Sequence, residues 1–156
     1  MNRHITDKAW MKIVEFIAQF STCRVKVGAL IVQNNIIVAT GYVGSVSGDE
    51  HCEDVGCLLV DNNKMYGSDN SGKSCIRTIH AEANAVLKCS ARGNNNCNWL
   101  TLYSTYQPCL NCTKLLLSIG VTRICYQLGY VDKNRDIYLD SQNRGTVWVQ
   151  IVGEKM

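Results

Sequence analysis

Trp10, Ile13, Val14 and Ile17 recur at helical spacing through residues 6–20, with Lys8, Lys12, Glu15 and Gln19 between them. This pattern predicts an amphipathic helix capped by Thr6 or Asp7. Two apolar, β-branched runs follow, Val25–Val32 and Ile36–Thr40, separated by Gln33-Asn34-Asn35, and they predict a hairpin. Residues 41–75 are rich in Gly, Ser, Asp and Asn and predict irregular structure. A short helix near Glu50–Leu59 and a mobile loop at Asn62–Ser74 are expected within them. The pattern then becomes regular, with a helix over His80–Ala91, a strand over Leu100–Ser104 and a helix over Cys109–Ile119 ended by Gly120. A strand over Val121–Tyr126, a weaker helix near 135–143 and a last strand over Thr146–Ile151 complete it. Alternating strands and helices predict an α/β layered sheet with helices on both faces. No linker or repeat divides the chain, so residues 1–156 read as one domain.

Composition narrows the class. The 156 residues are 46% hydrophobic and 19% charged, enough for one real core. No apolar run is long enough to span a bilayer, and the first residues lead into the amphipathic helix instead of a signal peptide's apolar stretch. The expected location is therefore the cytoplasm. A net charge of +3, with no Lys/Arg cluster, does not call for a nucleic-acid partner but leaves room for an anionic ligand of nucleotide size. Nine cysteines are an odd and high count, which zinc or buried thiols explain better than a secreted disulfide scaffold.

Two segments carry chemistry: His80-Ala81-Glu82, and Pro108-Cys109-Leu110-Asn111-Cys112. Catalytic zinc takes three protein ligands and leaves a fourth position for water. His80, Cys109 and Cys112 offer one imidazole and two thiolates. The two cysteines, three apart on a first helical turn, point to one side. Pro108, the single proline, stands where a helix begins, and a helix N-terminus favours thiolate over thiol. His80 and Glu82 are two apart and converge only if they open a helix; the apolar pattern of Ala83, Val86 and Leu87 starts directly after them. Glu82, beside the metal but not bound to it, is placed to carry a proton between a metal-activated water and a substrate. Either segment alone is weak, since H-x-E is common by chance and C-x-x-C also marks structural zinc, redox pairs or buried thiols. In this order they form the signature of zinc-dependent base deaminases. The remaining histidines are only His4 and His51.

Beyond this signature the chain resembles the deoxycytidylate (dCMP) deaminase family of the cytidine deaminase-like superfamily, its phage and bacterial members best. Ser21-Thr22-Cys23-Arg24 with Val27–Val32 is similar to the family's opening segment. Gly41-Tyr42-Val43-Gly44, through Ser47-Gly48 to His51-Cys52 and Val55-Gly56-Cys57, is similar to its glycine-rich nucleotide loop. Cys75–Ile79 leading into His80–Ala85, and Gln107-Pro108-Cys109, are close to the family form. The resemblance implies a three-layer α/β/α sandwich around a central mixed five-stranded sheet. It also implies hydrolysis of dCMP to dUMP for dTMP synthesis, a homo-oligomer (often a hexamer), and control by dCTP as activator and dTTP as inhibitor, with Mg2+ accompanying a bound triphosphate. It places substrate contacts at Arg24, Lys26, Val27, Asn84, Thr105 and Tyr130, and allosteric nucleotide contacts at Gly41, Val43, Gly44 and Gly48. Val43 departs from the family's usual Asn, a role that Lys26, Arg24, Asn84 or a backbone N–H would then fill.

Cys23, Cys52, Cys57 and Cys75 fall at or near family cysteine positions. They are candidates for a second, structural zinc, with His51 as a substitute ligand; buried free thiols are the other reading. Cys89, Cys97 and Cys125 read as packing residues. For Tyr126 and Tyr130, stacking on the base and ordinary packing both stay open. Competing functions are deamination of dCTP, free cytidine or a tRNA base and, in a different class, a non-catalytic zinc-stabilised binding module. Glu82 discriminates against the module.

Overall fold

The computed structural model describes residues 3–61, 72–93 and 98–152. In chain order the elements are α1 (Arg3–Ala18), β1 (Gly28–Gln33), β2 (Ile36–Tyr42), β3 (Gly44–Ser45), α2 (Cys52–Val55), β4 (Leu59–Asp61) and β5 (Lys73–Cys75). They continue with β6 (Thr78–Ile79), α3 (Ala81–Ala91), β7 (Leu100–Tyr106), α4 (Leu110–Ser118), β8 (Val121–Leu128), α5 (Lys133–Ser141) and β9 (Val147–Gln150). Five strands form one mixed sheet in the order β2-β1-β7-β8-β9. The β2/β1 and β1/β7 pairs are antiparallel, whereas β7/β8 and β8/β9 are parallel. Parallel neighbours need a crossover, and α4 and α5 supply the two.

The sheet is covered on both faces. Leu30, Val32, Tyr103 and Cys125 pack with Met11, Val14 and Ile17 of α1. Ala29, Ile31, Leu102 and Ile124 point the other way, onto Ala81, Ala85, Val86 and Leu116 of α3 and α4. That is the period-2 alternation of a strand buried on both sides, which explains why β1 reads as an unbroken apolar run. The three-layer sandwich inferred from resemblance is therefore present.

Two glycines let backbone approach backbone. A Cβ on Gly28 would lie 2.5 Å from the Val14 carbonyl oxygen of α1. One on Gly41 would lie 2.1 Å from the Ala81 carbonyl oxygen and 2.6 Å from the Ala85 nitrogen. Gly41 thus seats the first turn of α3 against β2, a packing role for a position assigned above to nucleotide contact. Asn34 and Asn35 both have positive φ, 51° and 61°, and form the two-residue turn of the predicted hairpin.

Other expectations need correction. Asp7 does not cap α1, which starts at Arg3. Instead its buried carboxylate accepts from Tyr103 Oη at 2.7 Å and from Arg123 at 2.7 and 2.9 Å, tying α1 to β7 and β8. Residues 25–27 lie outside β1, because the chain bends there after placing Cys23. Residues 41–75, expected to be irregular, contain β3, β4 and β5, and with β6 just beyond them these make two small two-stranded sheets, β3-β6 and β4-β5. The loop expected at Asn62–Ser74 lies outside the described residues for 62–71, and Lys73–Ser74 belong to β5. Among the described residues, no helix is long and apolar enough to cross a membrane.

Candidate active site and metal centres

His80 is the N-cap of α3 and Cys109 the N-cap of α4, both with extended backbone. Pro108 therefore precedes the cap and does not open the helix, yet its fixed φ still aims Cys109 into the first turn. His80 Nδ1 lies 3.7 Å from Cys109 Sγ and 3.5 Å from Cys112 Sγ. Tetrahedral zinc with ordinary Zn–S and Zn–N bonds would hold a sulfur and a nitrogen about 3.6 Å apart. The three donors thus already have the spacing the ion requires.

Their electrostatics call for a cation. The Cys109 thiol is held down to about 4, first by its hydrogen bond with Cys112, with His80 adding to the effect. Cys112 is pushed far up by Cys109 and by burial. One thiolate blocks the other, and only a positive charge between them lets both ionise. The imidazole of His80 is raised above its usual range, chiefly by its hydrogen bond with Cys109.

Glu82 sits in the first turn of α3 and is only 4% exposed. Burial raises its pKa, opposed by the nearby His80. A carboxyl held above its usual range in that way is suited to take and give a proton. Ser104 Oγ, on β7 and fully buried, donates to Glu82 Oε1 at 3.0 Å and fixes one carboxyl oxygen. Nothing in the sequence pattern marks Ser104, because the pairing joins β7 to α3 across the sheet.

A cavity of about 510 Å³ opens over this group. His80, Glu82 and Cys109 line it together with Arg24, Val27, Val43 and Tyr130, all of which the sequence had singled out. Tyr106, Gln107 and Thr78 also line it and had not been assigned a role. Three of the expected substrate residues are engaged elsewhere. Lys26 Nζ pairs with the Ser21 carbonyl and, at 3.6 Å, with Glu53. Asn84 Nδ2 donates to the Tyr42 carbonyl at 2.9 Å, and Thr105 Oγ1 accepts from the Gly28 amide at 3.2 Å. Gly44 pairs with Ile79 in the β3-β6 sheet, and Gly48 lies on an exposed turn. Tyr126 meets Trp148 edge-on and does not line the cavity.

Cys23, Cys52, Cys57 and Cys75 gather beside that cavity with all four sulfurs within 4.8 Å of one another. Cys23–Cys57 and Cys52–Cys75 are each 3.7 Å apart, against about 3.8 Å for the edge of a zinc tetrathiolate. Burial raises Cys23 and Cys52. Cys75 goes the other way: against its burial, the Arg77 backbone amide and the Cys52 thiol draw it below the usual thiol range. His51 stands apart, with Nδ1 3.3 Å from Thr22 Oγ1. Cys89 and Cys125 are buried in the core as expected, and Cys97 lies outside the described residues.

Residues 4–128 match the family described as the cytidine and deoxycytidylate deaminase zinc-binding region. The chain belongs to that family. This family member is 37% identical to ComE operon protein 2 of Bacillus subtilis (strain 168) over 131 residues, 83% of this chain but 63% of that protein, so it spans less than two thirds of that relative. It is 33% identical to the deoxycytidylate deaminase of Mycobacterium phage D29 over 81% of this chain and 97% of the phage protein. Among solved structures it resembles the dCMP deaminase of cyanophage S-TIM5, crystallised with dCMP and dUMP. The TM-score is 0.69, the identity 30%, and the coverage 100% of this chain and 99% of that one.

Proposed function

We propose that this deaminase hydrolyses the exocyclic amino group of dCMP, giving dUMP and ammonia. The observation that carries the reading is Glu82, a buried carboxylate on the cavity wall, beside the His80–Cys109–Cys112 donors but not one of them. A structural metal site has no use for such a group.

Zinc held by His80, Cys109 and Cys112 supplies a Lewis acid and a nucleophilic water near neutral pH. The chain's own residues do the rest. Glu82 accepts the proton of the incoming water and delivers it to N3 of cytosine as oxygen adds at C4. A second transfer through Glu82 lets the amino group leave as ammonia, so one water enters and one ammonia departs. Ser104 keeps one carboxyl oxygen tethered and leaves the other for the proton.

A nucleotide is preferred over a nucleoside because Arg24, on the cavity wall, offers a guanidinium to the phosphate. Its Nη2 is steadied by the Lys73 carbonyl at 2.9 Å. The phage relatives' names support the same substrate. Cys23, Cys52, Cys57 and Cys75 form a second, structural zinc site in this reading, and it holds Arg24 through its neighbour Cys23. Assembly as a hexamer, activation by dCTP with Mg2+ and inhibition by dTTP belong to the proposal through the resemblance.

A panel of dCMP, dCTP, CMP and deoxycytidine, run with and without dTTP, tests it. Turnover should be fastest on dCMP and slowed by dTTP. Faster turnover of deoxycytidine than of dCMP would reject the role given to Arg24.

A further inference from the structure

Asp132 and Arg135 are charged residues at the start of α5, yet they are only 4% and 3% exposed. Burying such groups is costly unless they are fully hydrogen-bonded. Asp132 Oδ1 accepts from the Arg135 amide at 3.0 Å and caps α5. Its other oxygen, Oδ2, accepts from the Leu110 amide at 2.8 Å, in the first turn of α4. Arg135 Nη1 donates to the Pro108 carbonyl at 3.0 Å and to the Tyr130 carbonyl at 3.0 Å. Asp136 Oδ1 accepts from Nη2 at 2.9 Å and from Nε at 3.1 Å, and the Trp148 ring lies 5.8 Å away.

These bonds bracket Cys109, one on the residue before it and one on the residue after. They also hold Tyr130, a cavity residue, whose amide donates to Gln107 Oε1 at 3.1 Å while its carbonyl is taken by Arg135. The family match ends at residue 128, so both charged residues lie beyond it.

We propose that Asp132 and Arg135 are positioning residues that fasten the Tyr130 loop to the Cys109 turn, so that the thiolate pair and the cavity wall behave as one body. The part that concerns substrate rests on the dCMP reading above; the part that concerns the thiolates does not. Asp132 fixes the α4 amide directly after Cys109, and Arg135 fixes the carbonyl before it, so losing either frees that turn to rotate. The same loss lets Tyr130 drift from the pocket.

The test uses the full chain loaded with Co2+. The thiolate-to-cobalt absorption that disappears in Cys112→Ser identifies the signal of this site. Asp132→Ala and Arg135→Leu should shift that absorption and speed cobalt release to a chelator by about tenfold, the scale of one lost charge-assisted hydrogen bond. In the zinc enzyme the KM for dCMP should rise by about the same factor, with a smaller change in kcat. Asp132→Asn keeps one acceptor, enough for the Leu110 amide but not for the Arg135 amide as well, and should restore both in part, as should Arg135→Lys. Asp140→Ala, exposed on the same helix, should change neither. Should either truncation fail to fold, the two conservative variants carry the comparison. Unchanged cobalt spectra and release in folded Asp132 and Arg135 variants would overturn the proposal. Changed release with an unchanged KM would overturn its substrate half. The cobalt signal needs no turnover, so failure of the clamp and failure of the dCMP reading are told apart.

Discussion

In the proposed reaction four side chains carry the chemistry, and they were legible for a physical reason. His80 and Glu82 share one helix start, Cys109 and Cys112 another, and each spacing makes sense only at an N-terminus, which the structure provides. Glu82→Ala should retain zinc while kcat falls by about 10²–10⁴, the usual contribution of a positioned proton carrier, as checked by metal analysis alongside initial rates. Ser104 was invisible because its meaning lies in a contact 22 residues away in sequence. Ser104→Ala should lower kcat roughly tenfold with little change in KM, since the hydrogen bond that tethers Glu82 is lost. An unaltered kcat would remove Ser104 from the machinery. Lys26, Asn84 and Thr105 show the opposite limit: resemblance singles them out, but only coordinates show which polar atoms the protein already uses.

At the level of elements, long periodic segments were readable and short ones were not. The helices at α1, α3 and α4 and the β1–β2 hairpin follow from apolar spacing and an Asn-Asn turn. Strands β3 to β6 have two or three residues each, too few to show a period, and exist because a partner elsewhere in the chain completes them. The Asp7 carboxylate looked like a helix cap because Asp before an apolar run usually is one; its partners, Tyr103 and Arg123, are 96 and 116 residues away. Gly41 is where element packing meets catalysis, since α3 touches β2 through it and Glu82 rides on α3. Gly41→Ala should destabilise the fold by at least about 1–3 kcal/mol in denaturant titration, because the new methyl meets backbone that cannot yield. Turnover should fall with it as the α3 start is displaced. A wild-type midpoint and rate would show that β2 and α3 can separate freely.

The whole molecule joins two cysteine-built centres across one cavity. Cys23 and Cys75 belong to the four-thiol cluster and also line the pocket, so the cluster braces the wall that carries Arg24. Its geometry could not be read from the sequence, because no C-x-x-C pair anchors it and its members come from three separate segments. Metal analysis should find two zinc ions per chain, falling to one in Cys57→Ser with a lower Tm; a ratio of one in both would leave the cluster as buried thiols. The proposed function rests on a metal held by His80, Cys109 and Cys112 that works with Glu82 on a cytosine nucleotide. The most direct test follows dUMP and ammonia formation from dCMP before zinc removal, after it, and after zinc is restored. Equal amounts of the two products, loss of turnover on removal and recovery on re-addition are expected. A zinc-loaded chain that leaves dCMP untouched, or a stripped chain that converts it at full rate, would contradict it.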